Sequence, residues 1–113
     1  MKNLKILPPT LREKKRYISF KVISEEPVEY SDLESAVWNV MLDFLGEIGV
    51  SKTSFWLMKE KWNKNKQMGI IRCNHKSVQD VLATLGLIER LGDNRIIFKI
   101  SKVSGTIKGA MNK

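Results

Sequence analysis

The chain has 113 residues, an apolar fraction of 42% and a net charge of +8. This length fits one compact domain, and the one cysteine, Cys73, excludes an intrachain disulfide. Cys73 and the one histidine, His75, cannot complete a tetrahedral zinc site, and no segment approaches the roughly 20 apolar residues of a membrane-spanning helix. We therefore expect a soluble, cytoplasmic protein with no metal site of its own.

The charge is distributed unevenly along the chain. Residues 1–24 contain seven Lys or Arg and one acid, residues 25–50 contain seven acids and no Lys or Arg, and residues 51–113 contain thirteen Lys or Arg and four acids. A basic body that encloses one acidic segment suggests one surface for an anionic polymer and another for a different partner.

The first predicted element is a basic arm, residues 1–16, that leads into a strand. The cationic cluster of the arm consists of Arg12, Lys14, Lys15 and Arg16. From Tyr17 the side chains alternate, with Ile18, Phe20 and Val22 on one face and Tyr17, Ser19 and Lys21 on the other. This period of two predicts a half-buried strand whose second face is polar and partly cationic.

A helix is predicted to start at Ser31, which has capping-box spacing to Glu34. Its apolar stripe, spaced for one face of a helix, consists of Leu33, Ala36, Val37, Val40, Met41, Phe44, Leu45 and Ile48. Gly46 and Gly49 end this helix or follow its end.

Trp38 and Leu42 fall off that stripe and lie one helical turn apart. Two interpretations stay open: the pair widens the buried face, or it contacts a partner protein from an otherwise acidic helix.

The remaining elements are two strands in a hairpin, a helix and a last strand. The hairpin spans residues 54–73, the second helix runs from about Lys76 to Leu85, and the last strand is Arg95–Ser101. The order β-α-β-β-α-β predicts an α+β fold, the ferredoxin-like or RNA-recognition-motif-like α/β sandwich with a four-stranded antiparallel sheet. We expect one domain over residues 1–113, with a short C-terminal tail over residues 104–113.

The residues favour RNA binding over catalysis. The chain has no nucleophile elbow and no phosphate-binding glycine loop, so no catalytic residue is assigned. The predicted RNA-contacting residues lie on the arm and on the sheet face without helices; they are Arg12, Lys14, Lys15, Arg16, Tyr17, Lys21, Arg72, Arg95 and Lys99. The third strand, MGIIRC, lacks the stacking aromatics of an RNA-recognition motif, which favours recognition of RNA shape and backbone.

Candidate protein contacts lie at two places in the predicted fold. One is the acidic helix with Trp38 and Leu42, and the other is the outer face of the hairpin with Trp56 and Trp62. Ordinary core or edge packing is the alternative for the two hairpin tryptophans.

Three blocks of sequence resemble the archaeal ribonuclease P protein component two family, which is related to a eukaryotic subunit of ribonuclease P and ribonuclease MRP. The blocks are LPPTLREKKRYISF at the start, the first helix with Trp38 and the LGEIG that follows, and VSGTIK at 103–108. The resemblance implies a protein subunit of the ribonucleoprotein that removes the 5′ leader from precursor tRNA.

In that family the RNA subunit carries the metal-dependent catalysis, so the resemblance implies magnesium on the RNA and no cofactor on this chain. It also implies ribonuclease P RNA and a companion subunit of TIM-barrel-like fold as partners, with a homodimer of this chain inside a two-plus-two complex. The alternative is a protein–protein assembly module of ferredoxin-like fold that has no direct RNA contact.

Overall fold

The structure is a computed structural model that describes residues 14–111. The strands are β1 (Lys15–Ser24), β2 (Trp56–Leu57), β3 (Met68–Asn74), β4 (Arg90–Leu91) and β5 (Asn94–Ser104), and the helices are α1 (Tyr30–Thr53), α2 (Val78–Leu85) and α3 (Ile107–Met111). Short 3₁₀ turns at Lys59–Lys61 and His75–Ser77 complete the described elements.

All five strands form one antiparallel sheet in the order β2-β3-β1-β5-β4. The predicted α+β architecture is therefore present, but the sheet has five strands where the sequence predicted four. The additional strand is β4, which pairs with the start of β5 through a tight turn at Gly92 with φ +64°. The prediction missed β4 because two residues are too few to show alternation.

The core lies between one face of this sheet and helices α1 and α2. Ile18, Phe20 and Val22 of β1 are at most 1% exposed, as their alternation predicted. The helices cover them with residues that are also almost fully buried: Leu33, Val37 and Met41 from α1, and Val81 and Leu85 from α2. Each such side chain contributes about 1.5–3 kcal/mol by leaving water, so this face fixes the position of the whole sheet.

Gly69 leaves room for aromatic side chains at the centre of the core. It pairs with Phe20 across β1 and β3, and a Cβ at this position would lie 2.9 Å from Phe20 Cζ and 3.1 Å from Trp62 Cε3. Because any larger residue would push these rings away, glycine is required here. The Phe20 ring also packs on Phe98 of β5, with 5.3 Å between centroids.

Helix α1 differs from the prediction at both ends. It begins at Tyr30, and its N-cap, Glu29, makes no side-chain capping bond, so the predicted Ser31 capping box is wrong. Gly46 has φ +71° and ψ 172°, which breaks the helix, and a second helical segment continues to Thr53. Two residues of the predicted core stripe flank this break and are exposed: Phe44 is 61% exposed and Ile48 is 74% exposed.

The sequence predicted that the second face of the sheet carries no helix, and this prediction is wrong. Helix α3 packs on it, and Ala110 and Met58 form a small buried cluster with Ile70 of β3. Tyr17 and Ile107 are partly buried against the same cluster. The C-terminal tail thus covers part of this face, and the rest, which we call the open face, remains exposed.

The first strand of the predicted hairpin is much shorter than expected. Only Trp56–Leu57 pairs with β3, and the chain then turns through the 3₁₀ segment. This turn directs Trp62 inward, where it packs on Phe20 and Tyr30 with centroid distances of 6.2 and 6.4 Å. The prediction that Trp56 and Trp62 share the outer face is therefore wrong.

Within residues 14–111, no helix has the length and apolar character that crossing a membrane requires.

Candidate nucleic-acid interface

The register of the strands places the predicted cationic side chains in rows across the open face. Arg72 of β3 is the cross-strand partner of Tyr17 in β1, and Lys21 of β1 is the partner of Lys99 in β5. Cross-strand partners project from the same face of a sheet. Arg95 lies on this face as well, at the far end of β5, so the structure brings the five predicted sheet residues onto one surface.

A β-bulge adds a cation that the sequence did not predict. The register between β1 and β5 shifts between Ser19 and Phe20, so that Lys102 pairs with Ser19 and Ile100 with Phe20. Simple alternation would place Lys102 beside Ile100 on the core face, but the bulge moves it to the open face. Lys102 is exposed, and its carbonyl accepts a hydrogen bond from the Ser19 hydroxyl at 3.5 Å.

The three long strands carry charge of one sign only. Strands β1, β3 and β5 contain Lys15, Arg16, Lys21, Arg72, Arg95, Lys99 and Lys102, and none of them contains Asp or Glu. The described residues show one ion pair, Lys64 to Glu29 at 3.4 Å, and it lies outside these strands. The open face is therefore a cationic surface that no acid of its own strands neutralises, which suits an anionic polymer.

The end of the basic arm enters this surface through β1. Arg12 lies outside the described residues. The Lys14 carbonyl accepts a hydrogen bond from the His75 backbone N–H at 2.7 Å, and the Lys14 N–H donates to His75 Nδ1 at 3.3 Å. His75 thus holds the start of β1 against the end of β3. Lys15 and Arg16 belong to the strand itself.

Lys15 and Arg16 do not lie on the same face. Lys15 pairs with Asn74 on the side of Tyr17, whereas Arg16 pairs with Cys73, which is fully buried in the core between sheet and helices. Arg16 is half-buried, and its Nη1 donates to the Lys15 carbonyl at 2.9 Å. The predicted arm cluster is therefore divided between the two faces of β1.

The predicted aromatic contacts also separate. Tyr17 is half-buried against α3 and lies beside Arg72. Trp56 is 54% exposed and pairs with Arg72 from the other side, at the outer edge of the sheet. Trp62 lies in the core, and its buried Nε1 has no hydrogen-bond partner among the described residues.

Helix α1 carries the other candidate surface. Trp38 is half-buried and packs edge-on against Phe55 at 5.1 Å, so it widens the buried face, as one of the two interpretations held. Leu42 is 41% exposed, and Phe44 and Ile48 are exposed further along the same helix, next in sequence to Asp43 and Glu47; we call these three exposed side chains the apolar patch. The sequence missed Phe44 and Ile48 because they continue the helical stripe that the kink interrupts.

One buried and one partly buried ionisable group belong to the structure and not to the interface. Burial raises the pKa of the Cys73 thiol to about 11. Burial, and then the nearby Glu34, raise the pKa of Tyr30 to about 12. The Tyr30 hydroxyl lies 3.2 Å from both the Glu34 carboxylate and the Leu57 carbonyl, which ties α1 to β2. Residues 14–111 bring together no group of three or more His, Cys, Asp or Glu that could hold a metal ion.

Comparison with known proteins settles the family of this chain. The model of the Rpp14/Pop5 family matches residues 16–113. The chain belongs to the Rpp14/Pop5 family. It is similar to ribonuclease P protein component 2 of Pyrococcus furiosus, with 47% identity over 96% of this chain and 89% of the relative. The same protein of Thermococcus kodakarensis is 38% identical, again over 96% and 89%, and that of Methanocaldococcus jannaschii is 37% identical over 97% and 79%.

These relatives confirm the family resemblance that the three sequence blocks carried. A chain of the yeast ribonuclease MRP structure, determined by cryo-EM, shares the fold, with a TM-score of 0.62 and 12% identity over 84% of this chain and 76% of that one. At this identity the likeness concerns the fold alone.

Proposed function

We propose that this member of the Rpp14/Pop5 family is an RNA-binding protein subunit of ribonuclease P, acting in the cytoplasm on the removal of the 5′ leader from precursor tRNA. Its role is to bind and help fold the catalytic RNA. The chemical step and its magnesium are assigned to that RNA, as the family resemblance implies, and no residue of this chain is assigned to catalysis.

The observation that carries this proposal is the cationic open face. Six Lys or Arg of three adjacent strands lie on this face, and the strands contain no acid, in a chain 47% identical to a ribonuclease P protein. A protein that neutralises phosphates with Lys and Arg releases the counterions that RNA had condensed, so affinity falls steeply as salt rises. Lys15 extends the same surface toward the start of β1, and the predicted arm residues Arg12 and Lys14 are proposed as further RNA contacts.

The absence of aromatic residues from β3 indicates how the open face recognises RNA. Strand β3 carries no aromatic residue, so it cannot stack successive bases as the third strand of an RNA-recognition motif does. We infer that most contacts are to the backbone of a folded RNA.

We also assign the fold to the ferredoxin-like class, with β1, β2, β3 and β5 as its four strands and β4 as an addition.

A companion protein is proposed to bind on the opposite side, at α1. The apolar patch of Leu42, Phe44 and Ile48 is exposed next to Asp43 and Glu47. An apolar centre with an acidic rim fits a protein surface that is apolar and basic. The companion is the subunit of TIM-barrel-like fold, and pairs of the two proteins form the two-plus-two complex that the family implies.

Reconstitution tests the proposal directly. Ribonuclease P RNA and its companion proteins are assayed for cleavage of precursor tRNA at moderate magnesium, with and without this chain. We expect activity to fall when the chain is omitted and to return when it is added. Unchanged cleavage in its absence would overturn the proposed function.

The second candidate function is a protein–protein assembly module without RNA contact, which the exposed apolar patch on α1 favours. The two functions differ in one property of the isolated chain. Direct RNA contact predicts binding that weakens steeply with salt, whereas an assembly module shows no such binding.

A further inference from the structure

Three side chains form a row that crosses the outer part of the open face. Trp56 pairs with Arg72, and Arg72 pairs with Tyr17, so the register places an aromatic residue at the position on each side of Arg72. The row is next to Lys15 and ends at β2, the edge of the sheet.

Arg72 carries a donor that is unsatisfied within the described part of the chain. Its Nε is buried and has no hydrogen-bond partner among the described residues, and no carboxylate in that part of the chain forms an ion pair with it. A buried donor without a partner is unfavourable. A guanidinium that pairs with no acid of the described residues can donate to an external acceptor such as a phosphate or a base edge.

Trp56 supplies the second element of a site. Its side chain is 54% exposed, although the other two tryptophans, Trp38 and Trp62, are packed against the core. Every nucleobase has a face that can stack on an indole ring, and RNA presents such faces where a nucleotide is unpaired. A protein partner is disfavoured at this place, because the surroundings of Trp56 on the sheet are cationic and the apolar patch on α1 lies on the other side.

We propose that Trp56 and Arg72 bind one unpaired nucleotide of an RNA, with the base stacked on the Trp56 indole and the Arg72 guanidinium contacting the same nucleotide. Tyr17 packs against α3 and occupies the cross-strand position on the inner side of Arg72. This proposal rests on the proposed function and deepens it. It adds contacts to the base of one nucleotide on a surface that otherwise contacts the RNA backbone.

The test uses the full chain and two RNA hairpins that differ by a single bulged adenosine. Affinity is measured for the unmodified chain, Trp56→Leu and Trp56→Phe, with Leu87→Ala as the control for loss of another exposed apolar side chain. We expect the chain to prefer the bulged hairpin, and Trp56→Leu to weaken binding of that hairpin about tenfold while barely changing binding of the paired one. Trp56→Phe keeps a stacking ring, so most of the preference remains.

Tryptophan fluorescence supplies a second readout. The bulged hairpin should quench the emission, and the part of the quenching that disappears in Trp56→Phe belongs to Trp56. Arg72→Lys keeps the charge but loses the planar guanidinium, and we expect it to reduce the preference for the bulge while leaving the salt dependence unchanged.

Three results would overturn the proposal, and they separate it from the proposed function. Equal, salt-dependent binding of both hairpins by every variant would leave a backbone-binding subunit without a nucleotide site. Absence of salt-dependent RNA binding would remove the proposed function as well. Normal RNA binding by Trp56→Leu, together with failed assembly with the companion subunit, would make Trp56 a protein contact.

Discussion

The open face of the sheet and the α1 side of the molecule differ in charge and in shape. Strands β1, β3 and β5 carry Lys and Arg without acids, while residues 25–50, which include most of α1, carry seven acids without Lys or Arg. The sheet side is a broad cationic surface, and the α1 side exposes a small apolar patch beside carboxylates. One core supports both surfaces, and the proposed function assigns an RNA to the sheet side and a protein to the α1 side.

This separation has a simple origin in strand geometry. Successive residues of a strand point to opposite faces, so Phe20 enters the core while Lys21 faces outward. Neighbouring residues in β1 therefore serve stability and binding separately. Substitutions one residue apart should have unrelated effects, and this makes the comparison testable.

The largest effect is expected at Phe20, whose ring is fully buried between Trp62 and Phe98. Phe20→Ala should lower the free energy of unfolding by about 3–5 kcal/mol, because it leaves a cavity at the centre of the core. Lys21→Ala should change it by less than about 0.5 kcal/mol. Urea unfolding measures both, and similar losses from the two variants would contradict the assignment of faces.

The next effect separates the buried and exposed parts of α1. Trp38→Ala removes the edge contact with Phe55 and should cost about 3 kcal/mol of stability. The double variant Phe44→Ala/Ile48→Ala should cost under about 1 kcal/mol, since both side chains are exposed. It should nevertheless impair assembly with the companion subunit.

Light scattering of the mixed proteins after size-exclusion chromatography checks that assembly. A double variant that assembles normally would remove the apolar patch as the docking site. A destabilised double variant would instead mean that the kinked end of α1 contributes to the core.

A smaller effect distinguishes the two faces at the start of β1. Lys15→Ala and Arg16→Ala each remove one charge, but Lys15 lies on the open face and Arg16 on the other. Lys15→Ala should weaken RNA binding about fivefold at moderate salt, the loss expected for one phosphate contact. Arg16→Ala should have a smaller effect. If a filter-binding or anisotropy titration instead shows the larger loss of affinity for Arg16→Ala, the RNA binds the other face of β1.

The smallest effect at neutral pH concerns Cys73, on the core side of β3. Burial raises the pKa of its thiol from 9.0 to about 11, so the folded state favours the neutral form. The stability that this provides is complete below pH 9 and is lost as pH rises from 9 to 11. The melting temperature should therefore fall more steeply over that range than in Cys73→Ala, and parallel curves would contradict the burial of an ionisable thiol.

The sequence predicted the parts of the fold that depend on local periodicity. Alternation in β1 and the apolar spacing of α1 up to Met41 identified buried residues correctly, because each pattern extends over several residues on one element. The sequence could not predict that Lys102 lies on the open face, because a bulge depends on the register between β1 and β5. The inward turn of Trp62 and the packing of α3 on Ile70 likewise depend on contacts between distant segments.

The candidate site shows the same division. Tyr17, Lys21, Arg72, Arg95 and Lys99 were predicted on one face from alternation alone, and the register brings them together. The exposure of Phe44 and Ile48 required knowledge of the Gly46 kink, for which the helical stripe gave no signal.

The salt dependence of RNA binding tests the central claim most directly. Lys21→Ala/Lys99→Ala removes two cross-strand partners on the open face, and Lys52→Ala/Lys76→Ala removes two exposed cations on the helix side. If the open face binds RNA, the first pair should reduce the slope of log affinity against log salt by roughly 1.5, and the second should leave it unchanged. Equal changes from both pairs, or a change from the second alone, would contradict the account.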